Sequence, residues 1–297
     1  MQATEPRHNS ESTKADIGYI VEARINPTEG LQLVDFRGSP ATGAPSRGLV
    51  RPSKDRIRGE SAEWSSETSS TDRLLVLMPA LDEAAAISRV LTGVKATLER
   101  GGVPYELLVI DGRSRDNTTR IASETGARVL TQPGRGKGDA VRFGFGLADG
   151  HSRILLMDAD GTYPPEEIPQ FLSALDGGAD VVVGSRMDGI IEDAAMPPLH
   201  FIGNRLLSLI ARTLYGKSVS DVCSGMWAFS SDAVQRLSLN ANHFEIEAEL
   251  FAQASKAGLR IDEVPIRYRR RMGRPKIQSL RAGLSIATKL IRKRFVP

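Results

Sequence analysis

The chain has 297 residues, 40% of them hydrophobic and 25% charged, with a formal net charge of +3. These proportions suit a folded domain of ordinary composition and exclude a fibrous or wholly disordered polymer. A single cysteine, Cys223, excludes an intrachain disulfide framework or a cysteine-rich zinc site, and reads as a small core residue in a reducing compartment.

Residues 1–72 are rich in Ser, Glu, Arg, Gly and Pro and hold only short apolar islands, IGYIVEARI and LQLVDF. This stretch is expected to be a largely disordered extension in which the islands are able to pair as a small hairpin. It lacks the basic-then-apolar pattern of a secretory leader, and no apolar run in the chain approaches the roughly 18 to 20 residues that cross a bilayer. The expected location is therefore the cytoplasm.

From Arg73 onward, apolar runs alternate with amphipathic segments. Strands are predicted at 74–78, 106–111, 127–131, 153–158 and 180–184, with helices at 83–99, 115–125, 137–148 and 164–175. That alternation is the pattern of βαβ units and a largely parallel sheet. In such a sheet, ligands bind beyond the carboxyl ends of the strands, where Pro79, Asp111, Asp158 and Gly184 fall.

The strand RILLMD runs into ADGTYPPEE, so Asp158 and Asp160 leave the strand two residues apart, with Ala159 between them. Two carboxylates in one cleft suit a hard divalent ion, which in turn bridges to a diphosphate. The competing reading is an ordinary Asp- and Gly-rich turn. In GRGKGDAVRFGFG, glycines surround Arg135 and Lys137 at the mouth of a predicted helix, where backbone amides and a lysine are able to face phosphate. The spacing is neither that of a Walker A loop nor that of a dinucleotide fingerprint. In LVIDGRSRDNTT, capping by Ser114 or Asp116 accounts for the polar residues except Asp111 at the strand tip. Trp227 and Phe229 are expected in the core. Glu245, Glu247 and Glu249 are expected either as a salt-bridged helix face or as part of a partly buried helix start.

Nine strings occur in order: PALDE, VIDGRSRDNTT, GRGKGDAVRFG, MDADGTYPPEE, VVGSR, GNRLLS, DVCSGMWAF, FEIEAEL and EVPIRY. Together they resemble the family 2 glycosyltransferases, and within them the polyprenyl-phosphate hexosyltransferases related to dolichol-phosphate mannose and glucose synthases. The resemblance covers about residues 73–285. It implies a GT-A type α/β fold, a single Rossmann-like domain over 73–278, with a nucleotide-sugar half at 73–160 and an acceptor half at 161–278. It further implies that Pro79, Leu81, Glu83 and Asp111 border the nucleobase and ribose, and that Asp158 and Asp160 bind Mg2+ or Mn2+. Arg186 and Arg205 match positions that meet an acceptor phosphate. Arg271 and Lys276 resemble a basic loop over the donor diphosphate.

Three departures stand out. Asp82 occupies the place of the usual Asn in PxxNE, Asp111-Gly112 replaces a double Asp, and Thr162 stands where some mannosyl enzymes carry Gln. The expected reaction is inverting transfer of a hexose from a GDP- or UDP-linked donor to polyprenyl phosphate. The alternatives are a soluble small-molecule acceptor and a non-catalytic nucleotide-sugar binder. A phosphate acceptor needs a cationic cradle and no strong base, whereas a hydroxyl acceptor needs a carboxylate, Asp221 first and Glu247 second.

From Arg267 to the C-terminus there are eleven Lys or Arg and no Asp or Glu. Nucleic-acid binding by this tail is not expected, because it lacks interleaved aromatics. Residues 279–297 are expected to form a basic amphipathic helix in which Leu280, Leu284, Ala287 and Ile291 share a stripe that Leu290 and Phe295 broaden. The stripe would rest on the anionic cytosolic face of a membrane, or pack on the catalytic domain or on a second copy in a homo-oligomer.

Overall fold

The computed structural model describes residues 22–26, 30–34, 72–273 and 279–296, with side chains described over 72–273 and 283–296. Two compact units divide the chain between Glu63 and Trp64. In the first, β1 (Glu22–Asn26) and β2 (Gly30–Val34) pair antiparallel with Glu22 opposite Val34. These strands coincide with the two apolar islands.

The second unit is built on a seven-stranded sheet. Its strands are β3 (Leu74–Ala80), β4 (Tyr105–Asp111), β5 (Arg128–Thr131), β6 (Arg153–Met157), β7 (Val181–Ile191), β8 (Met226–Ser230) and β9 (Ile261–Tyr268). They lie in the order β5-β4-β3-β6-β8-β7-β9, and β8 alone runs against its neighbours. Strand alternation splits the core into two layers. Leu74, Val76 and Met78 face the side covered by α1 (Ile87–Arg100) and α4 (Ile168–Asp176), whereas Leu75 and Leu77 face α3 (Lys137–Phe145) and α7 (Ile246–Lys256). Trp227 and Phe229 are fully buried in the second layer, as expected of core residues.

The predicted strands and helices of the first half are present within a few residues of their expected limits, with the helix expected at 115–125 shortened to α2 (Thr118–Glu124). The strand expected at 180–184 instead continues to Ile191, so Gly184 lies inside β7 rather than at its tip. The reason is tertiary. GSRMDG has no apolar alternation of its own, but it pairs with β9 across a register shift between Ser185 and Ile190. A side chain at Gly189 would sit 1.9 Å from the Ile266 carbonyl oxygen, so only glycine admits that close approach.

Two long helices pack against each other: α5 (Pro198–Tyr215) and α8 (Ser279–Phe295). The terminal helix forms where its spacing predicts, but it buries only part of the predicted stripe: Leu290 is buried and Ala287 packs on the core. Ile286, Leu290 and Lys293 are buried, whereas Leu284 is 72% exposed and Ile291 47% exposed. Tyr215 Oη donates to the Leu290 carbonyl at 2.8 Å, and Arg294 Nε donates to the Leu214 carbonyl at 2.7 Å. Lys293 Nζ lies 2.8 Å from Glu249 Oε1, and Lys289 Nζ lies 3.6 Å from it. The helix is therefore docked on its own domain, and three of its five basic residues are engaged there.

Candidate functional site

At the carboxyl ends of β3 and β4, two loops are tied together by side-chain to backbone hydrogen bonds. Asp82 adopts φ +48°, a left-handed conformation that Asn and Asp tolerate better than other side-chain-bearing residues. The Asp82 for Asn departure therefore preserves the turn. Its Oδ1 accepts from Arg115 N at 2.7 Å, and its own N–H donates to Ser114 Oγ at 2.8 Å. Asp116 and Thr118 accept from Ala84 N and Glu83 N. The Asp111 carboxylate accepts from Arg113 N at 2.9 Å and Ser114 N at 3.1 Å. Asp111 thus shapes the turn beneath the cleft, and the cleft wall beside it is Gly112.

β6 delivers Asp158 and Asp160 into the same cleft. Gly225 makes room for the first, because a side chain there would fall 2.2 Å from Asp158 Oδ2. Each carboxylate meets a cation shared with a glutamate. Lys137 Nζ, at the start of α3, lies 2.5 Å from Asp158 Oδ1 and 2.5 Å from Glu247 Oε1. Burial opposes the lysine's charge, but the two carboxylates outweigh it and hold the ammonium well above its ordinary pKa. Burial pushes the Asp158 and Glu247 carboxyls up, and Lys137 opposes that rise. On the other side, Arg271 Nη1 donates to Asp160 Oδ2 at 2.7 Å, and its Nη2 donates to Glu83 Oε1. Asp160 Oδ1 accepts from Thr162 N at 3.0 Å and from Thr162 Oγ1 at 2.6 Å. Far from being an exposed strand-tip group, Asp160 is buried.

Arg186 reaches the cleft from the middle of β7. Its Nε and Nη2 donate to the two oxygens of Asp221 at 2.6 and 2.7 Å, and its backbone N–H donates to the same carboxylate at 3.0 Å. Burial disfavours the guanidinium charge, but Asp221 overcompensates and raises its pKa further. Asp221 is fully buried and both of its oxygens are taken. In this arrangement Asp221 orients the arginine, and neither of its oxygens stands free for the proton-accepting role that a hydroxyl acceptor would require. Glu263 in turn accepts from Ser220 N at 2.8 Å and Asp221 N at 3.3 Å, fixing that loop. Tyr268 lies under the guanidinium, 5.1 Å from ring centre to Cζ, and packs edge-on against Tyr163.

A cavity of about 760 Å³ joins these groups. Pro79, Leu81, Glu83, Lys137, Ala159 and Arg186 all face it, as do Asp158, Asp160 and Arg271. Beyond Arg186 its wall becomes apolar between α5 and α8, where Leu206, Leu207, Ile210, Phe244 and Ile286 line it. Arg205 does not face the cavity: it stands on the exposed side of α5, stacked 5.2 Å from the Phe201 ring centre. Lys276 lies outside the described residues. Cys223 is half-buried on the cavity wall, and burial raises its thiol's pKa, which makes it a poor nucleophile. Tyr163, Tyr268 and Glu263 were not identified as site residues from sequence, although GTY and EVPIRY lie within two of the nine strings.

The model for "Glycosyl transferase family 2" matches residues 75–238. The chain belongs to this family. Among curated relatives, it is 37% identical to the low-salt glycan biosynthesis hexosyltransferase Agl6 of Haloferax volcanii, over 84% of this chain and 59% of the relative. It is 34% identical to the dolichyl-phosphate hexose transferase of the same organism, over 74% and 93%. To the polyprenol monophosphomannose synthase of Mycolicibacterium smegmatis it is 28% identical, over 72% and 86%. The chain spans about three fifths of the length of the first two curated relatives it matches. The crystal structure of glucosyl-3-phosphoglycerate synthase from Mycobacterium tuberculosis, in complex with Mn2+, UDP and phosphoglyceric acid, superposes with a TM-score of 0.63 at 21% identity. It covers 76% of this chain and 80% of that one, and supports the GT-A type fold.

Proposed function

We propose that this chain transfers a hexose from a nucleotide-sugar to a polyprenyl phosphate, with inversion at the anomeric carbon. The observation that carries the reading is the composition of this cavity. At one end stand paired carboxylates and cations suited to a metal and a diphosphate; in the middle stands a braced arginine; at the other end an apolar passage opens between two helices.

Asp158 and Asp160 suit Mg2+ or Mn2+: both are hard oxygen donors from one strand end, and Gly225 leaves the space that Asp158 needs. Among the described residues no group of three or more His, Cys, Asp or Glu is clustered to hold a metal; the two carboxylates are the residues that would hold it. Such an ion, when bound, neutralises charge on the departing diphosphate. Lys137 and Arg271 add positive charge at that end. Arg186, locked by Asp221, holds the acceptor phosphate in line. A phosphate oxygen is already ionised at neutral pH, so the engagement of Asp221 is no obstacle to this chemistry, whereas it would be for a hydroxyl acceptor.

The rim of the apolar passage supports a membrane-bound substrate. Leu199, Ile202, Leu206 and Leu209 of α5 are each 56–65% exposed, with Leu284 of α8 at 72%. We read this rim, whose two helices also carry the exposed Arg212 and Arg292, as resting on an anionic membrane surface. The test is to incubate the full chain with labelled UDP- and GDP-hexoses, with and without Mn2+, offering either polyprenyl phosphate in vesicles or a water-soluble phosphate ester. Metal-dependent entry of label into the organic phase is expected. Transfer to the soluble ester alone would replace the lipid acceptor, and release of no product from either would reject the enzyme.

A further inference from the structure

The two carboxylates of the Asp-x-Asp are held by their cations in different ways. Lys137 is anchored on α3, its side chain is 11% exposed, and its ammonium spans Asp158 and Glu247. Arg271 follows β9, its side chain is 25% exposed, and it spans Asp160 and Glu83 through its two terminal nitrogens. Its third position, Nε, is buried with no hydrogen-bond partner among the described residues, so the guanidinium is incompletely satisfied by them. The backbone on either side is fixed: Arg269 N donates to the Thr162 carbonyl at 2.8 Å, and Met272 N donates to the Asp160 carbonyl at 3.0 Å.

Both oxygens of Asp160 are engaged, Oδ1 by Thr162 and Oδ2 by Arg271. A cation that takes Oδ2 therefore displaces Nη1 or shares the oxygen with it at a repulsive distance. A guanidinium does not lose its proton, so Arg271 has to move rather than neutralise. With its backbone tied, the available motion is a side-chain rotation. A diphosphate is a better partner than one carboxylate for a planar fork, and it also supplies an acceptor for Nε.

We propose that Arg271 is an internal counter-ion of Asp160 which yields that carboxylate to the divalent cation and passes to the donor diphosphate, so that metal and nucleotide bind as a coupled pair. This rests on the assignment of Asp158 and Asp160 as metal ligands. Either partner alone meets resistance: the metal from Arg271 still on Asp160, the nucleotide from an arginine still held by two carboxylates. By linkage, each raises the affinity of the other by the same factor. Glu83 remains as the second anchor and keeps the guanidinium near the cleft during the exchange.

The test is the dissociation constant of Mn2+, read from the paramagnetic resonance of the free ion, for the full chain alone, with UDP and with GDP. The comparison includes Arg271→Gln, Arg271→Lys and Arg270→Gln, the last removing an equal charge from the exposed neighbouring residue; thermal melts confirm that each variant is folded. Without nucleotide, Arg271→Gln is expected to bind Mn2+ at least about fivefold more tightly than the parent chain, and Arg270→Gln within about twofold. The enhancement by nucleotide should shrink in Arg271→Gln by at least the same factor. Arg271→Lys, which keeps the charge but loses the fork, should bind Mn2+ alone like the parent chain and gain less from nucleotide. Unchanged or weaker Mn2+ binding by Arg271→Gln overturns the exchange while leaving the metal site standing, as does an equal gain in Arg270→Gln. Failure of the parent chain to bind Mn2+ in any of the three conditions rejects the metal site and the exchange together.

Discussion

The strand-tip corner and the α5–α8 rim border one cavity, yet they handle exposure in opposite ways. At the tip of β6 and in the middle of β7, Asp158, Asp160 and Arg186 are each paired with an opposite charge from another element. On the rim, four large apolar side chains of α5 and one of α8 stand more than half in water. The corner is costly to assemble, because ionised groups leave water, and such pairs are retained more readily for geometry than for stability. The rim is costly in the other direction, since apolar surface that water covers contributes nothing to folding. Both costs make sense if the corner is preorganised for charged atoms that arrive with the donor and the rim is covered by lipid.

The largest effect is expected at the corner. Asp160→Asn removes the charge proposed to hold the metal without removing volume, and transfer should fall by at least about 100-fold with a near-normal melting transition; half the parent activity at saturating metal would end the assignment. Next in size, Asp221→Asn should weaken the fork on Arg186. The expected result is about a tenfold to 100-fold loss in kcat/KM for the phosphate acceptor, with donor binding unchanged. An equal loss of donor affinity would show that the loop, not the arginine, had been disturbed.

On the rim, Leu206→Ser together with Leu209→Ser should lower binding to anionic vesicles by at least about tenfold, since each leucine buried in lipid contributes about 1.5–3 kcal/mol. Hydrolysis of a soluble nucleotide-sugar should be unchanged. Point substitutions are the sharper test here than removal of α8, because Ile286 and Ala287 of that helix are part of the cavity wall.

The smallest effect concerns the latch that docks α8. Burial would raise the Glu249 pKa, but Lys293 and the backbone N–H groups of Ala241 and Asn240 outweigh burial and hold it below the ordinary value. A depressed carboxylate pKa contributes stability above the unfolded pKa, about 4.3, and loses it as pH falls through the folded value. Glu249→Gln should therefore cost about 1–3 kcal/mol at pH 7, read by chemical denaturation, and the gap from the parent chain should close as pH falls below about 4. A gap independent of pH would mean that packing alone holds the helix.

Much of the donor corner was legible because it is local. Asp158 and Asp160 are two residues apart, Lys137 opens a helix behind glycines, and both lie where apolar strands end. The pairing of the charges was harder to read because the partners are distant in sequence. Arg186 and Asp221 are 35 residues apart, Lys137 and Glu247 are 110 apart, and Asp160 and Arg271 are 111 apart. Asp221 is acidic and close to the right string, which suits a base equally well. Only the distances to Arg186 show that its oxygens are already occupied.

The terminal helix marks the same boundary between the two kinds of information. Periodicity placed it at residues 279–295 and identified it as amphipathic, since the 3.6-residue repeat is a property of the chain itself. Which side of it faces the domain was decided by partners that no local pattern reveals: Glu249 and Tyr215 draw Lys293 and Leu290 inward and leave Leu284 at the mouth of the cavity. Sequence alone thus determined the strands from β3 to the start of β7, the strand-tip acids and the family, because short-range alternation and ordered motifs encode them, whereas β8 and β9 were not read from it. Tertiary structure decided which charges pair and which apolar residues remain exposed, because those depend on elements brought together from 35 to more than 100 residues apart.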